Sequence, residues 1–187
     1  MKDDIFSTRL INEKYDIEIG LDSSFVLGSQ DNRYFDRLIN PAEVGEGERY
    51  QALRISVEGQ KSTELIIIAS GELARGDFAI LEGDVITLLH GRHITQLDLE
   101  SGLALSVELD TAEAFSLYRV QGGFLIHGEL EIIKFDDNLN KLWEWVGNDI
   151  LVSISGKKSL ELTKSSIRLT DFSDNFYELD YDGNPIR

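Results

Sequence analysis

The sequence predicts an all-β protein of antiparallel meanders, with one short helix near residues 32–39. Three observations carry that expectation. Apolar and polar residues alternate with the period of two that a half-buried strand requires. Turn-forming residues recur about every 8–12 positions in the second half of the chain, a spacing that suits short paired strands. Segments of that half also repeat one another.

The elements follow in chain order. In residues 14–19, Tyr15, Ile17 and Ile19 alternate with Asp16 and Glu18, as in a strand with one wet face. Phe25-Val26-Leu27 is a short apolar run ended by Gly28. Tyr34, Phe35, Leu38 and Ile39 then fall at helical spacing, with Asp31 or Asn32 as cap and Asn40-Pro41 as stop, which predicts the helix. Residues 41–48 are a Gly- and Glu-rich loop. Residues 50–57 alternate again, and EGQKS turns the chain. The run TELIIIA, residues 63–69, leaves no wet face and predicts a strand buried on both sides. From Phe78 onward, strand and turn alternate too closely to leave room for helix.

The repeat lies in that last region. Ile94-Thr95-Gln96-Leu97-Asp98 matches Ile132-Ile133-Lys134-Phe135-Asp136 at an offset of 38, which also aligns Gly102 with Asn140 and Leu105 with Trp143. A fainter copy, Phe176-Tyr177-Glu178-Leu179-Asp180, matches the second at an offset of 44, with Asp182-Gly183-Asn184 as its turn. His90-Gly91 and His127-Gly128 align with a slip of one residue. In each unit an alternating strand ends in Asp, whose carboxylate suits the N–H groups of a tight turn, and Gly or Asn supplies positive φ. One such unit cannot bury its own apolar face and needs neighbours stacked on it.

Leu97-Asp98…Gly102, Phe135-Asp136…Trp143 and the partial Leu179-Asp180…Gly183 resemble the blades of β-propellers, especially the pyrroloquinoline-quinone-like repeat. The resemblance covers about residues 78–187 and implies a scaffold or interaction role, without implying that the quinone is bound. A propeller takes about four or more blades of about 40 residues each, and two full units and one partial unit are present. The expected architecture is therefore an incomplete or small propeller-like sheet assembly, with a β-sandwich as the alternative. Residues 1–77 supply further strands and the helix, residues 78–187 the repeats, and the two are expected to pack as one compact unit.

Composition narrows function by exclusion. The 187 residues carry 18 Lys and Arg against 34 Asp and Glu, a formal charge of −16, and 17 of the acidic residues fall in residues 1–93. An evenly negative surface lacks the basic clusters that phosphate recognition needs, which argues against nucleic acid and anionic membranes; the densest basic spot is Lys157-Lys158. With no cysteine there is no disulfide, thiolate metal site or cysteine nucleophile. The N-terminal MKDDIFSTRL has no apolar run of the kind a secretory signal needs, so a cytoplasmic location is expected.

No catalytic, cofactor or metal residue is assigned. His90 and His93 are three apart, a spacing that on one continuous strand puts them on opposite faces. Asp136-x-Asn138-x-Asn140 and Asp180-x-Asp182 have oxygen-ligand spacing, but Lys141 and Gly147 occupy the positions where a calcium loop needs Gly and Glu, and turn capping explains the same residues. Ser153-Ile154-Ser155-Gly156 lacks the leading glycine of a nucleophile elbow. Gly45-Glu46-Gly47 has no lysine and would repel phosphate. Trp143, Trp145, Tyr177 and Tyr181 are the candidate partner-binding aromatics, because aromatic side chains dominate binding surfaces.

These features favour a non-enzymatic, acidic protein-binding module, with a protein of basic surface as partner. A specific form is an immunity- or antitoxin-like protein that neutralises a basic toxin domain, since complementary charge speeds association. The alternatives are an enzyme acting on a carbohydrate or other small molecule through loop carboxylates, one of raised pKa, and a self-associating structural subunit whose sheet edges pair between chains.

Overall fold

A computed structural model describes residues 7–74, 76–153 and 158–186. The N-terminal hexapeptide, Lys157 and the Ile154-Ser155-Gly156 part of the serine motif lie outside the described residues. The described chain is all-β, and its contacts divide it into two units: Met1–Ala74 with Phe78–Asp110, and Arg75–Asp77 with Thr111–Arg187. The sequence division at residue 77 follows the start of the repeats, whereas the packing groups the first repeat with the N-terminal sheet.

Unit 1 begins with a five-stranded sheet. Strands β1 (Ser7–Ile11), β2 (Asp16–Leu21), β4 (Gln51–Glu58) and β5 (Thr63–Ala69) form an antiparallel meander, and the short β3 (Arg37–Ile39) joins the far side of β5 in parallel. Ile17, Ile19, Leu53, Ile55, Leu65 and Ile67 are buried. Ile66 and Ile68 are buried as well, in a second cluster with Phe25, Val44 and Ala52, packed by Leu27, Phe35 and Tyr50. Residues 22–36 and 40–50 thus form a cover over one face of the sheet, and the TELIIIA run is buried on both sides as its composition predicts.

The helix near residues 32–39 is not present. Residues 31–36 are irregular, with a turn at Asp31 and bends at Asn32 and Asp36, and residues 37–39 are β3. The apolar spacing serves a different geometry: Phe35 packs edge-on against Phe25 at 5.7 Å, Ile39 is buried, and Tyr34 is 74% exposed. Asn32 caps no helix. Its amide bonds both the N–H and the C=O of Val26, and Asn40 binds Val44 in the same way. These side chains act as one-residue strand partners and close the excursion into compact loops. Arg54 fastens the cover to the sheet, donating to Asp22 at 2.7 Å, Tyr34 O at 3.1 Å and Glu64 at 3.3 Å.

The rest of unit 1 is the first repeat, a four-stranded meander of β6 (Ala79–Glu82), β7 (Val85–His90), β8 (His93–Asp98) and β9 (Ala104–Glu108). Unit 2 holds the second repeat, β10 (Ala114–Val120), β11 (Gly123–Gly128), β12 (Glu131–Phe135) and β13 (Lys141–Val146). It also holds a three-stranded sheet of β14 (Leu160–Leu162), β15 (Ile167–Thr170) and β16 (Phe176–Leu179), with a single bridge from Leu179 to Pro185 where a fourth strand would run. The offset of 38 holds in three dimensions: Gln96 pairs with Leu105 and Lys134 with Trp143, Ile94 with Val107 and Ile132 with Trp145. The fainter copy also falls in place, since β8, β12 and β16 are each the third strand of their sheet. The core of unit 2 joins its two sheets through Leu125, Ile132, Leu151, Leu160, Ile167, Leu169 and Leu179.

One turn recurs at the sheet corners. Asp136, Asp171 and Asp180 each accept hydrogen bonds from the main-chain N–H groups two and four residues on, and from the side-chain amide of the Asn at the latter position. The residue before that Asn has positive φ in all three: Leu139 at 59°, Asp174 at 60° and Gly183 at 84°. Asp98 caps Glu100 and Ser101 in a turn one residue longer, with Gly102 at φ 70°.

Candidate functional sites

The four aromatics singled out by sequence come together in unit 2. Trp143 and Trp145 point from β13 toward the core, and Trp145 meets Tyr177 edge-to-face at 5.0 Å. The indole N–H of Trp143 donates to Tyr181 O at 3.1 Å, and buried Lys134 donates to the same carbonyl at 2.8 Å. Hydroxyl groups anchor the tyrosines, Tyr177 to Asp171 at 2.7 Å and Tyr181 to Thr163 O at 2.7 Å. All four rings are half-buried against the core cluster. Burial pushes Asp171 up, but the bonds from Asn175, Tyr177 and two N–H groups outweigh it and hold its pKa below the usual carboxylate value.

Gly183 lies flat on the Trp143 ring. A Cβ there would stand 2.7 Å from the indole, whose N–H is already fixed, and φ is 84°. Gly183→Ala is expected to cost about 2–3 kcal/mol through overpacking and strain, read as a lower urea midpoint together with a changed Trp fluorescence spectrum. An unchanged midpoint would show that the ring gives way freely.

The opposite face of β13 is wet and partly apolar. Leu142 is 52% and Val146 58% exposed, with exposed Glu144 between them. The strand pairs only with β12, so its other edge is unpaired by main chain among the described residues. On the first repeat, Leu103 is 70% and Leu105 48% exposed.

The histidines are structural neighbours in a way the spacing did not suggest. His90 and His93 are cross-strand partners across the turn at Gly91-Arg92, and their rings stack at 5.9 Å on one face. The opposite-face expectation fails because the chain reverses between them. His90 Nε2 lies 2.7 Å from Thr95 Oγ1, while His93 Nδ1 is buried without a partner. Burial, and then its neighbour His93, push the His90 pKa down to about 3. His127, at the equivalent end of β11, is pushed down to about 4 by burial, against one bond to Leu151 O at 2.9 Å. Among the described residues no cluster of three or more His, Cys, Asp or Glu is placed to hold a metal. The oxygens of Asp136 and Asp180 are spent on their own turns.

Sequence reasoning missed a cleft of about 790 Å³ in unit 1. One wall is the end of the five-stranded sheet: Glu13, Lys14 and Tyr15 from the β1–β2 turn, Asp36 and Arg37 at β3, Gln60 and Lys61 from the β4–β5 turn. The other is the β8–β9 turn, residues 97–102. Lys14 is held by Asp84 at 2.8 Å and Glu100 at 3.6 Å. Asp36 and Asp98 have pKa values below the usual range, first through bonds from Tyr34 and from the Ser101 N–H respectively. Asp16, Asp22, Asp136, Asp171 and Asp180 are likewise held below the usual carboxylate range.

No family model matches the chain, and no curated protein matches it. Among solved structures, BamB from Moraxella catarrhalis is similar at a TM-score of 0.48 and 13% identity, over 96% of this chain and 59% of that one. The chain thus spans less than two thirds of the length of that structure.

Proposed function

We propose that the protein is a non-enzymatic binding module for a protein partner with a basic, partly apolar surface. The observation that supports this most is the outer strand β13. Its unpaired edge and its Leu142-Glu144-Val146 stripe set apolar anchors around an acidic group, on a strand whose inner face is locked by two indoles. Rigid presentation lowers the ordering cost of association, and an open edge can accept a strand from a partner. The net charge of −16 adds long-range attraction for a basic protein. The immunity-like form of this reading requires that partner to be a toxin domain.

Affinity capture from the native lysate tests it, with wild type and a Leu142→Glu/Val146→Glu double variant side by side. A basic protein retained by wild type at low salt, released at high salt and absent with the variant is the expected result. Nothing retained, or equal retention by both, counts against the reading. Concentration-dependent dimers of the purified wild type, lost in the variant, would assign the edge to self-association instead.

A further inference from the structure

We infer that the cleft of unit 1 is a binding site for a monoanionic, carboxylate-bearing ligand. Arg37 and Lys61 take the carboxylate, and Val57, Leu65 and Leu97 take the ligand's apolar part. What distinguishes the cleft is which of its charged groups are already spent. Asp36 accepts from Tyr34 Oη at 2.6 Å and from the Glu64 N–H at 2.8 Å. Asp98 accepts from the N–H groups of Glu100 and Ser101 and from Ser101 Oγ at 2.8 Å. Glu100 and Lys14 face each other, and Lys14 is doubly bonded to Asp84.

Arg37 and Lys61 are different. Both are exposed, and among the described residues neither makes a hydrogen bond or ion pair, although Lys61 acts on Asp36 through its field. Glu13 is the matching uncommitted carboxylate, so the unspent groups of the cleft are two cations against one anion. Unspent donors call for an acceptor, and a carboxylate fits a guanidinium fork. The Arg37 fork lies close to the facing turn: a Cβ at Gly102 would stand 3.4 Å from Arg37 Nη1. The absence of a side chain at Gly102 leaves the guanidinium its place on that side of the cleft.

The field of the protein selects among anions. A chain of net charge −16 repels a dianion more than a monoanion, which favours a carboxylate over a phosphate. Val57, Leu65 and Leu97 line the cleft beside its charged groups and offer the ligand an apolar contact. A volume of about 790 Å³ falls among ordinary small-ligand sites. Either a free short-chain acid or the carboxyl terminus of a peptide presents this chemistry.

The test is an NMR titration of the isotope-labelled full chain with isocaproate, with isocaproamide, and with a short peptide ending in Leu as free acid or as amide. Saturable shifts confined to the cleft residues are expected with an acid and not with its amide. Arg37→Gln and Lys61→Gln are each expected to weaken binding by about tenfold, with unchanged thermal midpoints because both side chains are exposed. Lys158→Gln, at an exposed site in unit 2, leaves binding intact. Tighter binding of the peptide acid assigns a chain terminus as ligand, and equal or tighter binding of isocaproate assigns a free acid. Equal shifts from acid and amide, shifts outside the cleft, or no saturation with any titrant overturn the proposal.

Discussion

Arg54→Ala is expected to destabilise unit 1 by about 3–5 kcal/mol. The Arg54 side chain is 12% exposed and Asp22 only 4%, and they meet at 2.7 Å. Removing the guanidinium strands a dehydrated carboxylate, with Arg33 at 3.3 Å and Ser24 as its remaining partners. Burial alone would raise the Asp22 pKa; the bonds from Ser24, Arg54 and Arg33 reverse that and hold it far below the usual value. The same substitution unties the cover, since Arg54 also holds Tyr34 O and Glu64. Arg33→Ala is the control. That side chain is 68% exposed, and its loss is expected to cost less than about 1 kcal/mol. Urea melts of the two variants decide the matter: equal losses would mean that Asp22 is solvated and that the cover is held by its apolar contacts alone.

Acid is expected to unfold the protein from a pH well above the carboxylate range. His90 has an ordinary value of 6.5 and a folded value of about 3. Between these the unfolded chain binds a proton that the folded chain refuses. Stability is therefore full above about pH 6.5 and falls as pH drops, until the folded value is reached, a loss approaching about 5 kcal/mol. His127 acts in the same direction between 6.5 and about 4. The carboxylates held down by their turns add a second, lower window. Asp171 and its counterparts contribute fully above their unfolded value of 3.8 and lose that contribution as pH falls below it. Urea midpoints measured from neutral pH down to about pH 4 should decline steadily. His90→Gln, which removes the ionisable group, should flatten that slope by the share of one proton. A flat wild-type profile over this range would show that His90 is protonated in the fold.

What the sequence conveyed and what it hid divide along one line. Strand alternation is local, so β2, β4 and β5 were legible from their own residues. The repeat was legible because each unit repeats the same local solution, an alternating strand closed by an Asp-capped turn. Residues 31–39 misled because their apolar spacing answers to a distant surface. Phe35 serves the cluster under Phe25, and β3 pairs with a strand that comes later in the chain. Asn32, a good cap by composition, is spent on Val26. The histidine pair was misjudged for want of one turn, at Gly91-Arg92, where Gly91 has positive φ. The cleft left no mark at all. Its residues come from four separate stretches of the chain, and nothing in the string sets Arg37 and Lys61 apart from any other surface cation. The aromatics were found by residue type, but their half-buried state rests on the partial third repeat packing against β13.

The Asp-capped corners also bear on how the chain folds. Asp136, Asp171 and Asp180 settle the path of the backbone with partners no more than four residues away. Closing so short a loop costs little chain entropy, so these hairpins can align before any distant contact exists. The short strand β3 has no such shortcut, because it must wait for β5 to be made. Folding is thus expected to begin at the corners, with the cover over residues 66 and 68 seated last.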